Sequence, residues 1–311
     1  MARKRSMKKK NKIEPSQLSV PFTLGSGALV NTIDLSQVAS LINRRFYRQG
    51  INWAVAGFKV ISPAGATGSL SIAQLPNTWV MSNAWEKVFR AWQRQQDEVL
   101  DDGMQESVRA RFNDFKIYMD ADHVNSASNL LPIDFAGAQY SAGEWEYSEI
   151  VVPNFGAPGT NLETGLMGVG AHIGGAYSCV QLYADSRSVP FSPDPEVPAG
   201  VTGIDNILNA MFDVGDNNEA VLANVVGKNN DLPYDQDDYP GGGVNAPTVQ
   251  YHDSAIISGT TVGGTTQMKG GNFPCGLIRV ASNIDTTGTI LVVNLIPGNH
   301  RGYLCESMTE M

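Results

Sequence analysis

The chain is poor in the residues that most enzyme chemistry needs. Its 311 residues include only 3 cysteines and 4 histidines, and charged side chains make up 17%. Cys179, Cys275 and Cys305 share no motif spacing, and two of them fall in expected strands, so buried free thiols are expected rather than a disulfide framework. His123, His172, His252 and His300 are scattered, with no pair at metal-ligand spacing. No G-x-S-x-G elbow occurs. The run Gly165-Leu166-Met167-Gly168-Val169-Gly170 lacks the lysine that a phosphate-cradling loop requires. No apolar stretch is long enough to span a bilayer, and the basic start runs into polar residues and Pro15 instead of an apolar signal core. The expectation is a soluble, non-enzymatic protein without a cofactor, made in a reducing compartment.

What the chain does have is an extreme separation of charge. Arg3, Lys4, Arg5, Lys8, Lys9, Lys10 and Lys12 place seven of the 22 basic residues in the first twelve positions, with no acid among them. The remainder carries 15 basic against 31 acidic groups, so a tail of +7 precedes a body of −16. The tail has too few apolar residues to bury itself and is expected to be disordered alone. Such a run binds a polyanion or serves as a nuclear-import signal. A purely solubilising role fits poorly, because an acidic body has no need of it.

Low charge, 32 Gly and 16 Pro suit an all-β protein with long loops, or one whose surface is covered by copies of itself. Residues 13–50 read as a linker with a short helix, in which Leu18, Val20, Phe22 and Leu24 alternate and Asp34 caps a helical turn. Its end, Arg44-Arg45-Phe46-Tyr47-Arg48, is either a second nucleic-acid contact with stacking aromatics or an ordinary amphipathic helix end. Alternation then marks eight main strands at 51–61, 69–75, 107–119, 145–152, 177–184, 248–258, 273–282 and 289–296, with a register shift at Gly57. One strong helix is expected over 83–101, with Asn83 and Glu86 as a capping box and Trp85, Phe89 and Trp92 as its core stripe.

Eight strands without alternating helices imply two facing antiparallel sheets, a jelly-roll β-sandwich spanning 51–300 with a long loop insertion at 185–247 and a tail at 301–311. The insertion is expected at the outer surface or a subunit contact. In it, Asp231, Asp235, Asp237 and Asp238 either hold a hard cation such as Ca²⁺ or form a solvated acidic loop.

The basic arm, the strand pattern, the lead from Leu75-Pro76-Asn77-Thr78-Trp79-Val80 into the Trp/Phe helix and the strand-rich ending resemble capsid proteins of small viruses, most closely those with circular single-stranded DNA genomes. The arm here is shorter than the long arginine-rich arm of many members. The resemblance implies a helix between the second and third strands and an icosahedral shell of many copies. It also implies an inward-facing arm on the genome, and location in the virion with passage through the host nucleus. Two other readings compete: a carbohydrate-binding or enzymatic β-sandwich, which would normally bring a signal peptide and no polycation, and a host nucleic-acid-binding β protein, whose body should be less acidic.

Overall fold

The structure is a computed structural model and describes residues 15–102, 114–154, 159–187, 248–260 and 264–308. Strand β1 (Ser19–Leu24) turns Val20, Phe22 and Leu24 inward by simple alternation. Gly27, at φ 86, reverses the chain into β2 (Gly27–Asp34), which runs straight into helix α1 (Leu35–Asn43). Then come β3 (Ile51–Ile61), β4 (Gly68–Gln74) and the long helix α2 (Trp79–Asp102). The short helix α3 (Ala121–Ser126) is followed by β5 (Glu149–Pro153), β6 (Asn161–Met167), β7 (Ala176–Ser178) and helix α4 (Cys179–Arg187). The chain closes with β8 (Gln250–Ile257), β9 (Thr265–Phe273), β10 (Leu277–Ile284), β11 (Thr289–Leu295), β12 (Pro297–Gly298), β13 (Gly302–Tyr303) and β14 (Cys305–Ser307).

Two antiparallel sheets carry the architecture. One runs β1-β11-β3-β14, with β9 also on β3; the other runs β2-β10-β4-β8. Their facing sides share a single core, in which Phe22, Phe58, Leu291, Val293 and Phe273 of the first sheet meet Ile33, Leu70, Ile72, Ile278 and Val280 of the second. In β3 the inward set changes phase between Val55 and Phe58, and its pairing with β11 slips there, Gly57 facing Asn294 and Val55 facing Leu295. This is the expected bulge. Gly270 of the neighbouring β9 fits because a Cβ there would sit 2.2 Å from the Val55 carbonyl oxygen. Pro21 lies in the edge strand β1, where a missing N–H costs no ladder bond, and its carbonyl accepts from Ile133 at 2.9 Å.

Most of what is described between β4 and β8 belongs to a second body with its own core, while Leu130 packs on the sandwich core and its N–H bonds the Thr32 carbonyl at 2.7 Å. Val80, Met81, Ala84, Trp85 and Val88 of α2 pack with Phe115, Ile117, Met119, Leu166, Cys179 and Val180, and with Cys275, Leu277 and Met308 from the sandwich side. Arg279, on the outer side of β10 and 6% exposed, bonds Asp120 and, at 3.0 Å, Asp122 of the α3 region, which fastens this body to the sheet. The small sheet β5-β6-β7 lies within it.

Several expectations change. The segment 13–50 contributes two full strands, so α2 follows the fourth strand and does not lie between the second and third. Residues 114–119 form no strand beyond a bridge of Tyr118 to Met167, and 107–113 lie outside the described residues. The 145–152 segment forms β5, outside both large sheets. The 177–184 segment becomes helix after Ser178, whose Oγ accepts the Gln181 N–H at 3.4 Å as a cap. The 273–282 segment starts with the turn Pro274-Cys275-Gly276, and the strand before it, β9, has a polar, glycine-containing sequence with little alternation to detect. Helix α2 begins four residues before Asn83, with Thr78 Oγ1 accepting the Met81 N–H at 3.4 Å. The tail 301–311 adds β14 to β3. The insertion 185–247 lies outside the described residues after Arg187.

Trp85 is 6% exposed whereas Trp92 is only partly buried. Trp85→Ala should therefore lower unfolding free energy by about 3–5 kcal/mol and Trp92→Ala by clearly less, read from urea melts of the two variants. Equal losses would contradict this placement of the helix.

Candidate nucleic-acid interface

Of the residues expected to hold nucleic acid, Arg44, Arg45 and Arg48 are described, and they lie close to Pro15, the first described residue. Helix α1 ends at Asn43 with Arg44 in the left-handed region at φ 54, and both backbone groups beyond it are held by α1 serines. Ser40 Oγ accepts the Tyr47 N–H at 2.9 Å, and Ser36 Oγ donates to the Arg48 carbonyl at 3.2 Å. Arg45 Nη1 donates to the Pro15 carbonyl at 3.3 Å, and Ser16 Oγ donates to the Gly302 carbonyl at 3.2 Å. The polypeptide thus reaches the body beside an arginine cluster. Arg3, Lys4, Arg5, Lys8, Lys9, Lys10 and Lys12 themselves lie outside the described residues, as do Asp231, Asp235, Asp237 and Asp238.

Arg44 and Arg48 are exposed, and among the described residues neither guanidinium has a hydrogen bond or ion pair. They do not sit over the carbonyls of the last α1 turn; Asn43 Nδ2 takes the Ala39 carbonyl at 2.9 Å instead. Tyr47 does not stack on a ligand. It is fully buried, with its hydroxyl on the Arg301 carbonyl at 2.9 Å and its ring 5.6 Å from Tyr303.

A cleft of about 690 Å³ opens next to this cluster, between the 46–51 segment, α2 and the 300–307 strands. Arg48, Arg90, Arg301 and His300 contribute its polar side, with Glu86 and Glu306; Phe46, Trp85, Phe89 and Phe115 contribute the aromatic side. Arg90 pairs with Glu86, Glu306 accepts from Asn52 Nδ2 at 3.3 Å, and Arg301 Nη1 donates to the Phe46 carbonyl. Burial, then the charges of Arg301 and Arg48, hold the His300 imidazole below its ordinary pKa, so it is neutral at pH 7. Trp85, Phe89 and Trp92 form a stacked row, with centroids 4.9 and 6.4 Å apart. Trp85 seats against bare backbone at Gly50, where a Cβ would meet its ring at 2.1 Å. The aromatic stripe was legible in the sequence; Arg301, inside the turn Pro297-Gly298-Asn299-His300-Arg301-Gly302, was not.

Beneath the cleft lies a buried polar network. Asp34 caps α1 through the Ser36 N–H at 2.9 Å and accepts Gln49 Nε2 at 3.1 Å and Trp145 Nε1 at 3.2 Å. Gln49 bonds both the N–H and the carbonyl of Ile117, at 2.7 and 3.1 Å. Asn129 joins Gln37 at 2.9 Å to the Tyr147 hydroxyl at 2.7 Å, which meets His123 Nε2 at 3.1 Å. His123 Nδ1 accepts the Met119 N–H at 3.0 Å, which fixes the neutral tautomer with its proton on Nε2. Gln49 lines the cleft, and Trp145 and Tyr147 line a second opening of about 540 Å³ with Tyr118, Glu146 and Glu149. Burial pushes the Cys179 thiol up to about 12, which leaves it unreactive. Among the described residues no group of three His, Cys, Asp or Glu side chains could hold a metal.

Two members of the network set opposing pH dependences. Burial raises Asp34 to about 6 from 3.8, so its stabilisation is present below the unfolded value and is lost as pH rises through 6. Burial, with the Arg279 charge, lowers His123 to about 4 from 6.5, so its stabilisation is present above 6.5 and is lost as pH falls through 4. Each swing amounts to roughly 3 kcal/mol, and they run in opposite directions over nearly the same window. Relative to the unaltered chain, His123→Gln should gain stability from pH 6.5 down to 4 and Asp34→Asn should lose it. Urea unfolding at pH 4, 5 and 6.5 measures both; parallel curves for all three proteins would refute the opposition. No protein-family model, curated protein or solved structure matches this chain.

Proposed function

We propose that this chain is the capsid protein of a small virus, a jelly roll that assembles into a closed shell and holds a single-stranded genome by its basic arm. The charge separation carries the reading: a body of −16 repels phosphate, so a tail of +7 has its use in bringing a polyanion to it. The strand order supports the roll. Counted along the chain, β1, β2, β3, β4, β8, β9, β10 and β11 pair first with eighth, second with seventh, third with sixth and fourth with fifth. That nesting is one long antiparallel ribbon folded over into two sheets, the plan shared by viral capsid, lectin and cupin domains. Among these, the polycationic arm favours the capsid reading over a sugar-binding one. Single-stranded DNA is the genome type implied by the resemblance of the sequence, and the arm's contacts with it need no base preference.

Deleting residues 2–12 should leave shells of unchanged diameter that are empty or underfilled, by electron microscopy and absorbance ratio. The same deletion should flatten the salt dependence of single-strand binding by up to about 5 in the slope of log K against log salt, about 0.7 for each phosphate released. Full packaging by the truncated chain would overturn the assignment of the arm, and failure to form any shell at all under assembly conditions by the full chain would overturn the capsid reading.

A further inference from the structure

We propose that the cleft at the root of the arm seats one nucleotide of the bound strand, with Arg48 and Arg301 on its phosphate and its base against Phe89. The inference rests on the nucleic-acid reading above and adds to it a defined place on the folded body. A volume of about 690 Å³ lies within the range of roughly 300–1,000 Å³ common for small-ligand sites. Arg48 has no side-chain partner among the described residues, and Arg301 commits only Nη1, to the Phe46 carbonyl, so both guanidinium forks can take phosphate oxygens. They converge: both charges act on the same His300 ring. Of the two carboxylates at the rim, Glu86 is engaged by Arg90 and Glu306 by Asn52, which limits their repulsion of a phosphate.

Phe89 supplies the apolar wall for the base. It is half-buried in the row between Trp85, parallel at 4.9 Å, and Trp92, near-parallel at 6.4 Å, and lines the cleft. An edge contact of this kind accepts any base, which matches an arm that reads no sequence. Proximity does the rest. Lys12 stands three residues before Pro15, and Pro15 is held by Arg45 beside the cleft. A strand captured by the arm is therefore presented to the cleft at high effective concentration.

The test uses the full chain and a twelve-nucleotide oligothymidylate carrying photoreactive 4-thiothymidine. Crosslinks should map to 46–51, 85–93 and 300–307 as well as to the arm. Arg48→Ala with Arg301→Ala should lower the salt slope by about 1.4, two phosphates' worth. Phe89→Leu should weaken binding roughly tenfold with the slope unchanged. Arg94→Ala, on the same helix outside the cleft, should change neither. The crosslink map is read on the unaltered chain, so a variant that fails to fold does not decide the matter. Crosslinks confined to the arm, with binding abolished by arm deletion, would overturn the nucleotide seat while leaving the packaging reading intact. Binding that survives arm deletion with no crosslinks in the body would overturn both.

Discussion

A single buried carboxylate joins the two bodies of this protein. Asp34 is the last residue of a sandwich strand and the cap of α1, and its second oxygen faces the Gln49 amide and the Trp145 indole. Without these two and the Ser36 and Gln37 N–H groups on its first oxygen, a fully buried carboxylate would be untenable. With them it fixes the start of α1, the 47–50 segment and the 114–147 region in one arrangement. Gln49 extends the clamp by pairing with both backbone groups of Ile117, so it acts as one rung of a sheet where no strand is present. Gln49 also lines the cleft beside the arm, so the clamp fixes one part of its wall.

A second fastening works on a different principle. Arg279 points away from the sandwich core and would be a solvent-facing residue in a bare sheet. The α3 region covers it, and Asp120 and Asp122 meet its guanidinium. Asp120 also caps α3 through the His123 N–H, so one carboxylate starts the helix and pins it to β10. His123 lies beside this second fastening, and burial first, then the Arg279 charge, keeps it neutral.

The sequence made the sandwich legible where one face is apolar and the other wet. β3, β4 and β11 alternate cleanly, and even the bulge at Gly57 was marked by a change of phase. It failed where local chemistry and partner choice decide. β2 begins with Leu29 and Val30 exposed, so its alternation is masked, and β9 relies on glycines that let it approach β3. The segments near 145 and 177 alternate convincingly yet lie outside the large sheets, because alternation reports a two-sided environment and says nothing about which sheet supplies it. Of the candidate interface, Arg44, Arg45 and Arg48 were visible as a cluster. Arg301 came from far along the chain, and Tyr47 stayed open between two readings because a tyrosine beside arginines looks the same whether its ring faces solvent or is buried.

The nested strand pairing also dictates the order in which the molecule can form. The innermost pair, β4 with β8, is already split by the whole second body, and the outermost joins Val20 to Val293. Such contacts are distant along the chain, and closing them is slow. On a ribosome the helices of the second body are made while β1 to β4 still lack their partners, and Cys275, Leu277 and Met308 close its core only later. Among the described residues β1 has one ladder neighbour, β11, and receives it when nearly all of the chain has been made. A chain that ends before Thr289 therefore leaves β1 without β11, and the segment leading to the basic arm keeps only its contacts with Asn43 and Arg45. What is made last fastens what was made first, and a shortened chain is marked by a loosened segment at the place where the longer one is tied down.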